Sequence, residues 1–370
     1  MAHLYLGIMS GTSMDGIDIA LLNFKQRPAT ILDYATYPFP EALIPTIHGL
    51  CQPNQNEINT MGDADRQIAH AFADAVKAFL ARNQLTSADI VAIGSHGQTI
   101  RHYPDGNNGF TLQIGDPFTL ASKTDIDVIA DFRRKDVALG GQGAPLVPAF
   151  HKAMFATKRC NRVVLNIGGI SNITYLPADQ QTPIVGFDTG PGNTLMDAWC
   201  RKHTGQQYDK SGAWASQGKP DNTLLQAMLT LPFFSQPAPK STGRELFNLA
   251  WLEQQLSQYG NTLSPESVQA TLALLTATSI ADQIHALPDV EEVYVCGGGA
   301  HNDFLMETLE TLLYDCQLNT TDELGIVSDA VEAAAFAWLA YAHKQGIPGN
   351  IPSVTGASRS AILGASFSAL

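Results

Sequence analysis

Short apolar runs alternate along this chain with longer segments in which apolar residues recur at helical spacing. Segment 4–24 consists of an apolar run, a turn of Ser, Gly, Thr and Asp, and a second apolar run. This pattern predicts a two-stranded hairpin. Segment 162–176 repeats the arrangement around a Gly-Gly turn. Because each hairpin opens one part of the chain, the pattern predicts two related halves.

Other apolar runs predict strands that end in turns rich in glycine and polar residues, at 89–97, 111–116, 126–132, 184–188 and 293–296. Helical periodicity predicts helices over 57–83, 194–203, 264–287, 302–313 and 329–344. Segment 211–243 contains several prolines and is predicted to be an irregular insertion. Strands that alternate with helices indicate an α/β protein.

Composition narrows the class of protein. The chain has 370 residues, of which 45% are apolar and 15% charged, and its net charge is −13. This length predicts two domains with a substantial core, and the acidic balance argues against nucleic-acid or anionic-membrane binding. Five scattered cysteines without a C-x-x-C pair argue against a disulfide framework or a zinc site. We see neither a signal-peptide pattern nor an apolar run of membrane-spanning length, and therefore expect a cytoplasmic protein.

The tip of the first hairpin, residues 11–18, has the chemistry of a phosphate cradle. Small residues let N–H groups and hydroxyls approach an anion, and Asp15 and Asp18 could hold a divalent cation or a water. The chain has no G-x-x-x-x-G-K-[ST] sequence. A dinucleotide fingerprint needs a helix after its glycines, whereas β-type sequence follows here. A Gly/Ser turn that binds nothing is the alternative.

Two turns in the second half carry candidate chemistry. Gly297–Gly299 lie between a predicted strand and a predicted helix, where the backbone could approach a nucleotide; a tight corner would have the same sequence. Asp188 ends an apolar strand and suits either a catalytic base or a turn residue. Gly190 and Gly192 would leave room for a ligand, and Asn193 could donate a hydrogen bond to one.

Several charged or titratable residues have two possible roles each. Arg133 and Arg134, close to Asp131, stand out because only 22 residues are Lys or Arg. A guanidinium fits a carboxylate or phosphate, and an interdomain salt bridge is the alternative. His96 could contact a substrate or be structural. Glu332 lies on an otherwise apolar predicted helix, where the pattern alone favours a solvated stripe over a cleft.

A series of motifs runs from residue 9 to residue 358: MSGTSMDGID, GSHGQT, QIGDP, DFRRKDVALGGQGAPLVPAFH, NIGGISN, GFDTGPGN, MDAW, QPAPKSTGRE, CGGGAHN and PSVTGAS. In this order they resemble the anhydro-N-acetylmuramic acid kinase family, within the superfamily of actin, hexokinase and Hsp70-chaperone ATPases. The GGQGAPLVP and GFDTGPGN blocks are the most specific.

The resemblance implies two ribonuclease-H-like domains with an ATP cleft between them. The first would comprise residues 1–128 and 354–370 and contain the first hairpin. The second, residues 129–353, would contain the second hairpin, the catalytic aspartate and the nucleoside turn. The family uses ATP, Mg²⁺ and water to convert 1,6-anhydro-N-acetylmuramic acid to N-acetylmuramic acid 6-phosphate in peptidoglycan recycling. A homodimer in the cytoplasm is implied as well.

Residue by residue, the resemblance assigns the catalytic base to Asp188. It assigns the sugar pocket to Ser13, His96, Arg133 and Glu332, with Arg134 as the alternative to Arg133. It places Mg²⁺ at Asp15 and Asp18. It assigns ATP and its phosphates to Gly11, Thr12, Ser13, Met14, Asp15, Gly16, Ile17, Asp18, Asn166, Gly168, Gly169, Gly190, Gly192, Asn193, Gly297, Gly298 and Gly299.

The same fold would also suit a carboxylate kinase, a polyphosphate hydrolase or an ATP-driven conformational protein. A chaperone-like member would need a separate peptide-binding domain, and the motifs leave no residues for one. Turnover of a panel of sugars with ATP separates these alternatives.

Overall fold

The computed structural model describes residues 3–11, 14, 16–26, 28–53 and 55–370. The chain divides into two compact units, Met1–Met154 with Ala330–Leu370, and Phe155–Asp329. The divisions differ from the predicted ones at 128/129 and 353/354. The reason is that helix 134–138 packs on strand 110–114 and helix 331–345 packs on strand 4–9, so both helices belong to the first unit.

Among the described residues, the first unit contains a six-stranded sheet and a separate two-stranded hairpin. The strands are β1 (Leu4–Met9), β2 (Ile17–Asn23), β3 (Thr30–Tyr37), β4 (Ile90–Ser95), β5 (Gln98–Tyr103), β6 (Phe110–Ile114), β7 (Val128–Ala130) and β13 (Ala365–Phe367). The sheet order is β13-β7-β4-β1-β2-β3, and β5 pairs with β6. Strands β1 to β3 form an antiparallel meander, β4 is parallel to β1, and β7 is parallel to β4.

The helices of the first unit cover its sheet. They are α1 (Ile44–Leu50), α2 (Glu57–Arg82), α3 (Pro117–Thr124), α4 (Arg134–Ala138), α5 (Val147–Phe155, which ends at the division), α12 (Val331–Gln345) and α13 (Pro352–Thr355). The long helix α2 buries Ile68, Phe72, Val76 and Phe79 at helical spacing, the pattern by which it was predicted.

Helix α12 lies directly on the first sheet because two strand positions carry no side chain. A methyl group on Gly7 would be 1.8 Å from the carbonyl oxygen of Ala333, and one on Gly94 would be 1.9 Å from that of Phe336. Most of α12 is buried, whereas Glu332 in its first turn is exposed. The close packing of α12 on the sheet therefore fixes the position of Glu332 relative to β1 and β4.

Among the described residues, the second unit contains a five-stranded sheet. Its strands are β8 (Asn161–Ile167), β9 (Ile170–Leu176), β10 (Val185–Pro191), β11 (Val290–Cys296) and β12 (Gln317–Thr320). The order is β10-β9-β8-β11-β12, with β8 to β10 antiparallel, β11 parallel to β8, and β12 parallel to β11. Both sheets thus have the strand order of a ribonuclease-H-like domain, which confirms the predicted fold class.

The second unit contains helices α6 (Thr194–Thr204), α7 (Asn222–Leu229), α8 (Pro232–Ser235), α9 (Leu249–Tyr259), α10 (Pro265–His285) and α11 (Asp303–Leu312). The prediction of an irregular segment at 211–243 was wrong where it contains α7 and α8. Asp221 caps α7 by accepting a hydrogen bond from the Leu224 N–H, and the prolines obscured this short helix. No helix in the described ranges combines the length and the apolar character that crossing a membrane requires.

Candidate active site

Asp188 lies on β10, an edge strand of the second sheet, with one carboxylate oxygen anchored. The Ser241 hydroxyl donates to Oδ2 at 3.0 Å, and the backbone N–H of Thr242 donates to the same oxygen at 2.9 Å. Within the described residues, both hydrogen bonds to this carboxylate go to Oδ2. Oδ1 therefore remains available to a water or a ligand.

The surroundings of Asp188 raise its pKa. Burial is the largest cause; the hydrogen bonds from Thr242 and Ser241 oppose it, and the negative charge of Glu245 adds to it. A raised pKa makes this carboxylate a better proton acceptor than an exposed aspartate. Asp188 therefore has the properties of a general base.

Segment 240–245, from the motif QPAPKSTGRE, holds Asp188 in place. The N–H of Asp188 donates to the Lys240 carbonyl at 3.0 Å. The buried ammonium of Lys240 donates to the carbonyls of Phe233 and Phe234, each at 3.1 Å. The sequence alone assigned no role to the residues of this motif, because nothing in the local pattern shows that it runs beside β10.

The second hairpin, β8–β9 with its tip at Gly168 and Gly169, presents backbone donors. Within the described residues, the N–H groups of both glycines have no hydrogen-bond acceptor. A methyl group on either glycine would meet no atom closer than 3.6 Å, so the tip has open space beside it. Unpaired N–H groups at such a turn favour an anion.

The turn after β10 packs against that hairpin. The N–H of Gly192 donates to the Gly169 carbonyl at 2.9 Å, and that of Asn193 donates to the Gly168 carbonyl at 2.8 Å. A methyl group on Gly192 would be 2.3 Å from the Gly168 oxygen. Gly192 is therefore required for packing, not for ligand space as the sequence suggested. Helix α6 begins here, and its N-terminus favours negative charge at the hairpin tip.

The turn at 297–299 also packs on the second hairpin. Methyl groups on Gly297 and Gly299 would lie 2.4 Å from Asn166 Oδ1 and 2.3 Å from Ile167 Cγ2. Gly298 differs, because the nearest atom to a methyl group there is Asn193 Nδ2 at 3.8 Å. Two of the glycines thus join the turn to the hairpin, and one faces open space.

A cavity of about 400 Å³ adjoins Gly298, and it lies within the usual size range of small-molecule sites. It is lined mostly by residues with polar side chains, and the lining consists of Asn193, Met196, Asp197, Tyr208, Asp209, Lys210, Ser211, Gly298, His301 and Asn302. The cavity therefore lies beside the turn that was predicted to border a nucleoside.

In the first unit, His96 is buried and both ring nitrogens have partners. Arg133 donates from Nη2 to Nε2 of His96 at 2.9 Å, and Nδ1 lies 3.3 Å from the Ser10 carbonyl oxygen. Burial, and to a lesser extent the charge of Arg133, lower the pKa of His96 to about 3. The ring is therefore neutral, accepts at Nε2 and donates from Nδ1.

Arg133 lies among groups that hold its guanidinium in position. Nη1 donates to the Gly143 carbonyl at 2.8 Å, in addition to the bond to His96. Burial lowers the pKa of Arg133 to about 10, and the negative charges of Glu332 and Asp136 oppose this shift. Arg133 therefore remains charged at neutral pH.

The carboxylate of Glu332 interacts electrostatically with the charge of Arg133. Burial raises the pKa of Glu332, the charge of Asp18 raises it further, and Arg133 opposes the rise. Its side chain is nevertheless exposed by surface area. The helix pattern favoured a purely solvent-facing role for Glu332. The structure adds that Glu332 also interacts with Asp18 and Arg133.

Asp136 is a fully buried carboxylate that sequence reasoning missed. It accepts from the N–H of Gly143 at 2.8 Å, from Asn350 Nδ2 at 2.6 Å and from the Thr355 hydroxyl at 2.8 Å. Gly143 in turn accepts from Arg133. The motif PSVTGAS, which includes Thr355, is thereby connected to Arg133 through Asp136.

Arg134 occupies a different position from Arg133. Its side chain is 66% exposed and forms an ion pair with Asp131. Arg133 contacts His96, whereas Arg134 does not. A second cavity, of about 260 Å³, lies in the first unit and is bordered by Asp131 and Arg134, with Ser95 and His96 also in its lining. This cavity lies where the parallel strands β4 and β7 end, a common position for ligands in α/β sheets.

The first hairpin, β1–β2, is described at Gly11, Met14, Gly16, Ile17 and Asp18. The predicted residues Thr12, Ser13 and Asp15 lie outside the described residues. The side chains of Met14 and Ile17 are buried in the core, so their contribution to a ligand would come from the backbone. Asp18 Oδ1 accepts hydrogen bonds from the hydroxyls of Tyr34 at 2.8 Å and Thr36 at 2.6 Å.

Two ribonuclease-H-like sheets, each opened by a glycine-containing hairpin, define the class of actin- and hexokinase-type ATPases. A model of the anhydro-N-acetylmuramic acid kinase family matches residues 3–369. The chain therefore belongs to this family and is a sugar kinase that uses ATP.

Sequence relatives agree with this assignment. The chain is 55% identical over 365 residues to the anhydro-N-acetylmuramic acid kinase of Shewanella loihica, covering 99% of this chain and 98% of the relative. It is 54% identical over 360 residues to that of Shewanella halifaxensis, covering 97% of each.

The solved structures that match this chain are much less similar to it in sequence. The activator of the 2-hydroxyisocaproyl-CoA dehydratase from Clostridium difficile matches with a TM-score of 0.48 and 11% identity, over 92% of this chain and 96% of that one. A ROK family glucokinase from Streptomyces griseus matches with a TM-score of 0.40 and 12% identity, over 90% and 99%.

Proposed function

We propose that this protein uses ATP and water to convert 1,6-anhydro-N-acetylmuramic acid to N-acetylmuramic acid 6-phosphate and ADP. The observation that carries the proposal is the Asp188 carboxylate, with Oδ2 held by Ser241 and Thr242 and a pKa raised by burial. The names of the relatives support the substrate.

The reaction balances with Asp188 as the only proton acceptor. Asp188 accepts a proton from a water whose oxygen attacks the anomeric carbon. The bond from that carbon to the 6-oxygen breaks, and its electron pair remains on the 6-oxygen. The 6-oxygen bonds to the γ-phosphorus of ATP, and the pair of the β–γ bridging bond leaves with ADP. Asp188 then releases its proton to solvent.

One carboxylate suffices in this scheme. An inverting glycosidase uses a second carboxylic acid to protonate the leaving oxygen. Here the leaving oxygen belongs to the same sugar, and transfer of the phosphoryl group takes the place of protonation. A positioned base contributes about 10²- to 10⁴-fold. Positioning and charge stabilisation must supply the remaining acceleration.

We propose that ATP is bound by residues of the two hairpins and of the 297–299 turn. Free N–H groups at Gly168 and Gly169 and the cavity beside Gly298 support this. The described residues that we propose for ATP are Gly11, Met14, Gly16, Ile17, Asp18, Asn166, Gly168, Gly169, Gly190, Asn193, Gly297, Gly298 and Gly299. Thr12, Ser13 and Asp15 are proposed with them.

Mg²⁺ fits Asp18, whose carboxylate is oriented by Tyr34 and Thr36. Mg²⁺ is usually held by one or two protein carboxylates together with substrate phosphates. We propose Asp15 as the second carboxylate. The ion would supply charge neutralisation at the phosphoryl group.

The sugar is proposed to be recognised by Arg133, with Glu332, His96 and Ser13. A charged guanidinium suits the lactyl carboxylate of the muramic sugar. Because both nitrogens of His96 have partners within the first unit, we propose that His96 orients Arg133. Glu332, as a carboxylate, would accept hydrogen bonds from sugar hydroxyl or amide groups.

We propose that the enzyme acts in the cytoplasm as a homodimer and returns anhydro-sugars from peptidoglycan to metabolism. The reasoning for all three is the family relationship. Fractionation of cells would test the location, and sedimentation of the purified protein would test the dimer.

The activity is tested with a panel of acceptors. The purified protein is incubated with ATP, Mg²⁺ and each of 1,6-anhydro-N-acetylmuramic acid, N-acetylmuramic acid, glucose and acetate, and products are identified by mass spectrometry. We expect N-acetylmuramic acid 6-phosphate from the anhydro-sugar. Phosphorylation of acetate without turnover of the anhydro-sugar would contradict the proposal and support a carboxylate kinase.

A further inference from the structure

The guanidinium of Arg244 lies beside the tip of the second hairpin. A methyl group on Gly169 would be 3.6 Å from Nη2 of Arg244 and 3.7 Å from Nε. The N–H groups of Gly168 and Gly169, which have no acceptor within the described residues, belong to the same tip. A positive charge and two backbone donors therefore adjoin one another.

Arg244 also lacks an acidic partner. The chain has 35 Asp and Glu residues against 22 Lys and Arg, and arginines elsewhere in it pair with carboxylates, as Arg101 does with Glu57 and Arg162 with Glu292. In the part of the chain that the structure describes, no carboxylate lies within ion-pair distance of Arg244. Its charge is available to an anion.

The short segment that carries Arg244 is the one that holds Asp188. Thr242, two residues earlier, donates its N–H to the Asp188 carboxylate, and Lys240 anchors the segment through Phe233 and Phe234. The same anchored segment thus contacts the predicted base, Asp188, and carries the guanidinium of Arg244 that lies beside the hairpin.

We propose that Arg244 is a catalytic residue that contacts the transferring phosphoryl group; this rests on the proposed function. In phosphoryl transfer the charge is spread over the equatorial oxygens of the phosphoryl group, and a guanidinium can donate to two of them at once. No bond of Arg244 changes. Its N–H donors stabilise the group while it passes from ATP to the 6-oxygen of the sugar.

The test compares Arg244→Ala and Arg244→Lys with Arg201→Ala. Arg201 is exposed on α6 in the same unit and is a matched control for loss of one surface arginine. We expect Arg244→Ala to lower kcat by about 10²- to 10³-fold, the range for loss of one preorganised donor. Arg244→Lys should recover part of this loss, and Arg201→Ala should match the wild type.

Two readouts separate a catalytic role from a structural one. The KM for the sugar and the thermal unfolding midpoint of Arg244→Ala should match the wild type, and added guanidinium chloride at millimolar concentration should raise its kcat. A wild-type kcat in Arg244→Ala, or a loss of kcat explained by a lowered unfolding midpoint, would overturn the role of Arg244 while wild-type turnover leaves the proposed function standing. A wild-type protein that does not phosphorylate the anhydro-sugar would overturn both.

Discussion

Arg133 donates a hydrogen bond from Nη2 to Nε2 of His96 at 2.9 Å, across 37 residues of sequence. The sequence suggested that both residues contact the sugar. The structure gives them different positions, because the histidine is enclosed and the guanidinium is held by it. We infer that Arg133 makes the contact and that His96 sets the direction from which it is made.

Replacing Arg133 with alanine should therefore reduce discrimination between sugars. If the guanidinium pairs with the lactyl carboxylate, kcat/KM for 1,6-anhydro-N-acetylmuramic acid should fall more than that for 1,6-anhydro-N-acetylglucosamine, which has no lactyl group. The expected difference is about 1.5–3 kcal/mol, the scale of a hydrogen bond to a charged group. Arg134→Ala is the control and should leave the ratio of kcat/KM for the two sugars unchanged. Equal losses on both sugars in Arg133→Ala would contradict the pairing of Arg133 with the lactyl carboxylate.

Buried His96 should make the folded protein less stable in acid. Its pKa is about 3 in the folded protein against 6.5 ordinarily. Below pH 6.5 the unfolded chain therefore binds a proton that the folded protein excludes, and the free energy of unfolding falls as the pH decreases toward 3. The loss approaches about 1.4 kcal/mol per pH unit.

The measurement for this prediction is urea unfolding between pH 7 and pH 5. His96→Gln, which retains an acceptor for Arg133, should show a shallower dependence on pH than the wild type. His48→Gln, at an exposed position, is the control and should keep the wild-type slope. An unchanged slope in His96→Gln would show that His96 titrates normally in the folded protein.

Removing the Ser241 hydroxyl should change the pH dependence of activity. The hydrogen bond from Ser241 lowers the pKa of Asp188 against the effect of burial, so its loss should raise that pKa further. A base is inactive when protonated, and the acidic limb of kcat/KM should therefore move to higher pH in Ser241→Ala. Ser235→Ala, at an exposed hydroxyl that bonds to the Pro232 carbonyl, should leave the limb in place. A shift in the opposite direction would contradict the role of Ser241.

The sequence predicted the elements whose signals are local. Both hairpins, helix α2 with its apolar face, and the capped helix α10 lie close to their predicted bounds, because periodicity and capping act within a few residues. Strand β12 was not predicted, since QLNT has little apolar character and forms a strand beside β11. The compact units divide at other residues than the predicted domain boundaries, because the divisions depend on packing between distant helices and strands.

In the candidate site, too, residues with a local sequence signal were predicted and residues that depend on distant contacts were not. Asp188 and the glycine turns were predicted because each stands at the end of an apolar strand. Asp136 was not, since its partners Asn350 and Thr355 are more than 200 residues away. Gly192 was assigned to ligand space, whereas its methyl position is filled by the Gly168 carbonyl. Contacts of this kind have no local pattern in the sequence.

The central role in the proposed mechanism belongs to Asp188, the base for a water that opens the sugar while the 6-oxygen is phosphorylated. Asp188→Asn keeps the shape of the side chain and removes the proton acceptor. It should abolish ring opening and phosphate transfer together while ATP still binds. Asp282→Asn, an exchange of the same kind at an exposed position on α10, is outside the proposed chemistry and controls for the substitution.

The most direct measurement is the reaction in ¹⁸O-water, followed by mass spectrometry and rapid NMR of the product. The water must attack the face opposite the departing 6-oxygen, so the wild type should place the label on the anomeric carbon and give the α-anomer before mutarotation. The phosphate should carry no label, and Asp188→Asn should give no labelled product. Label in the phosphate, or phosphorylation by Asp188→Asn at close to the wild-type rate, would contradict the role of Asp188 and the coupling of the two steps.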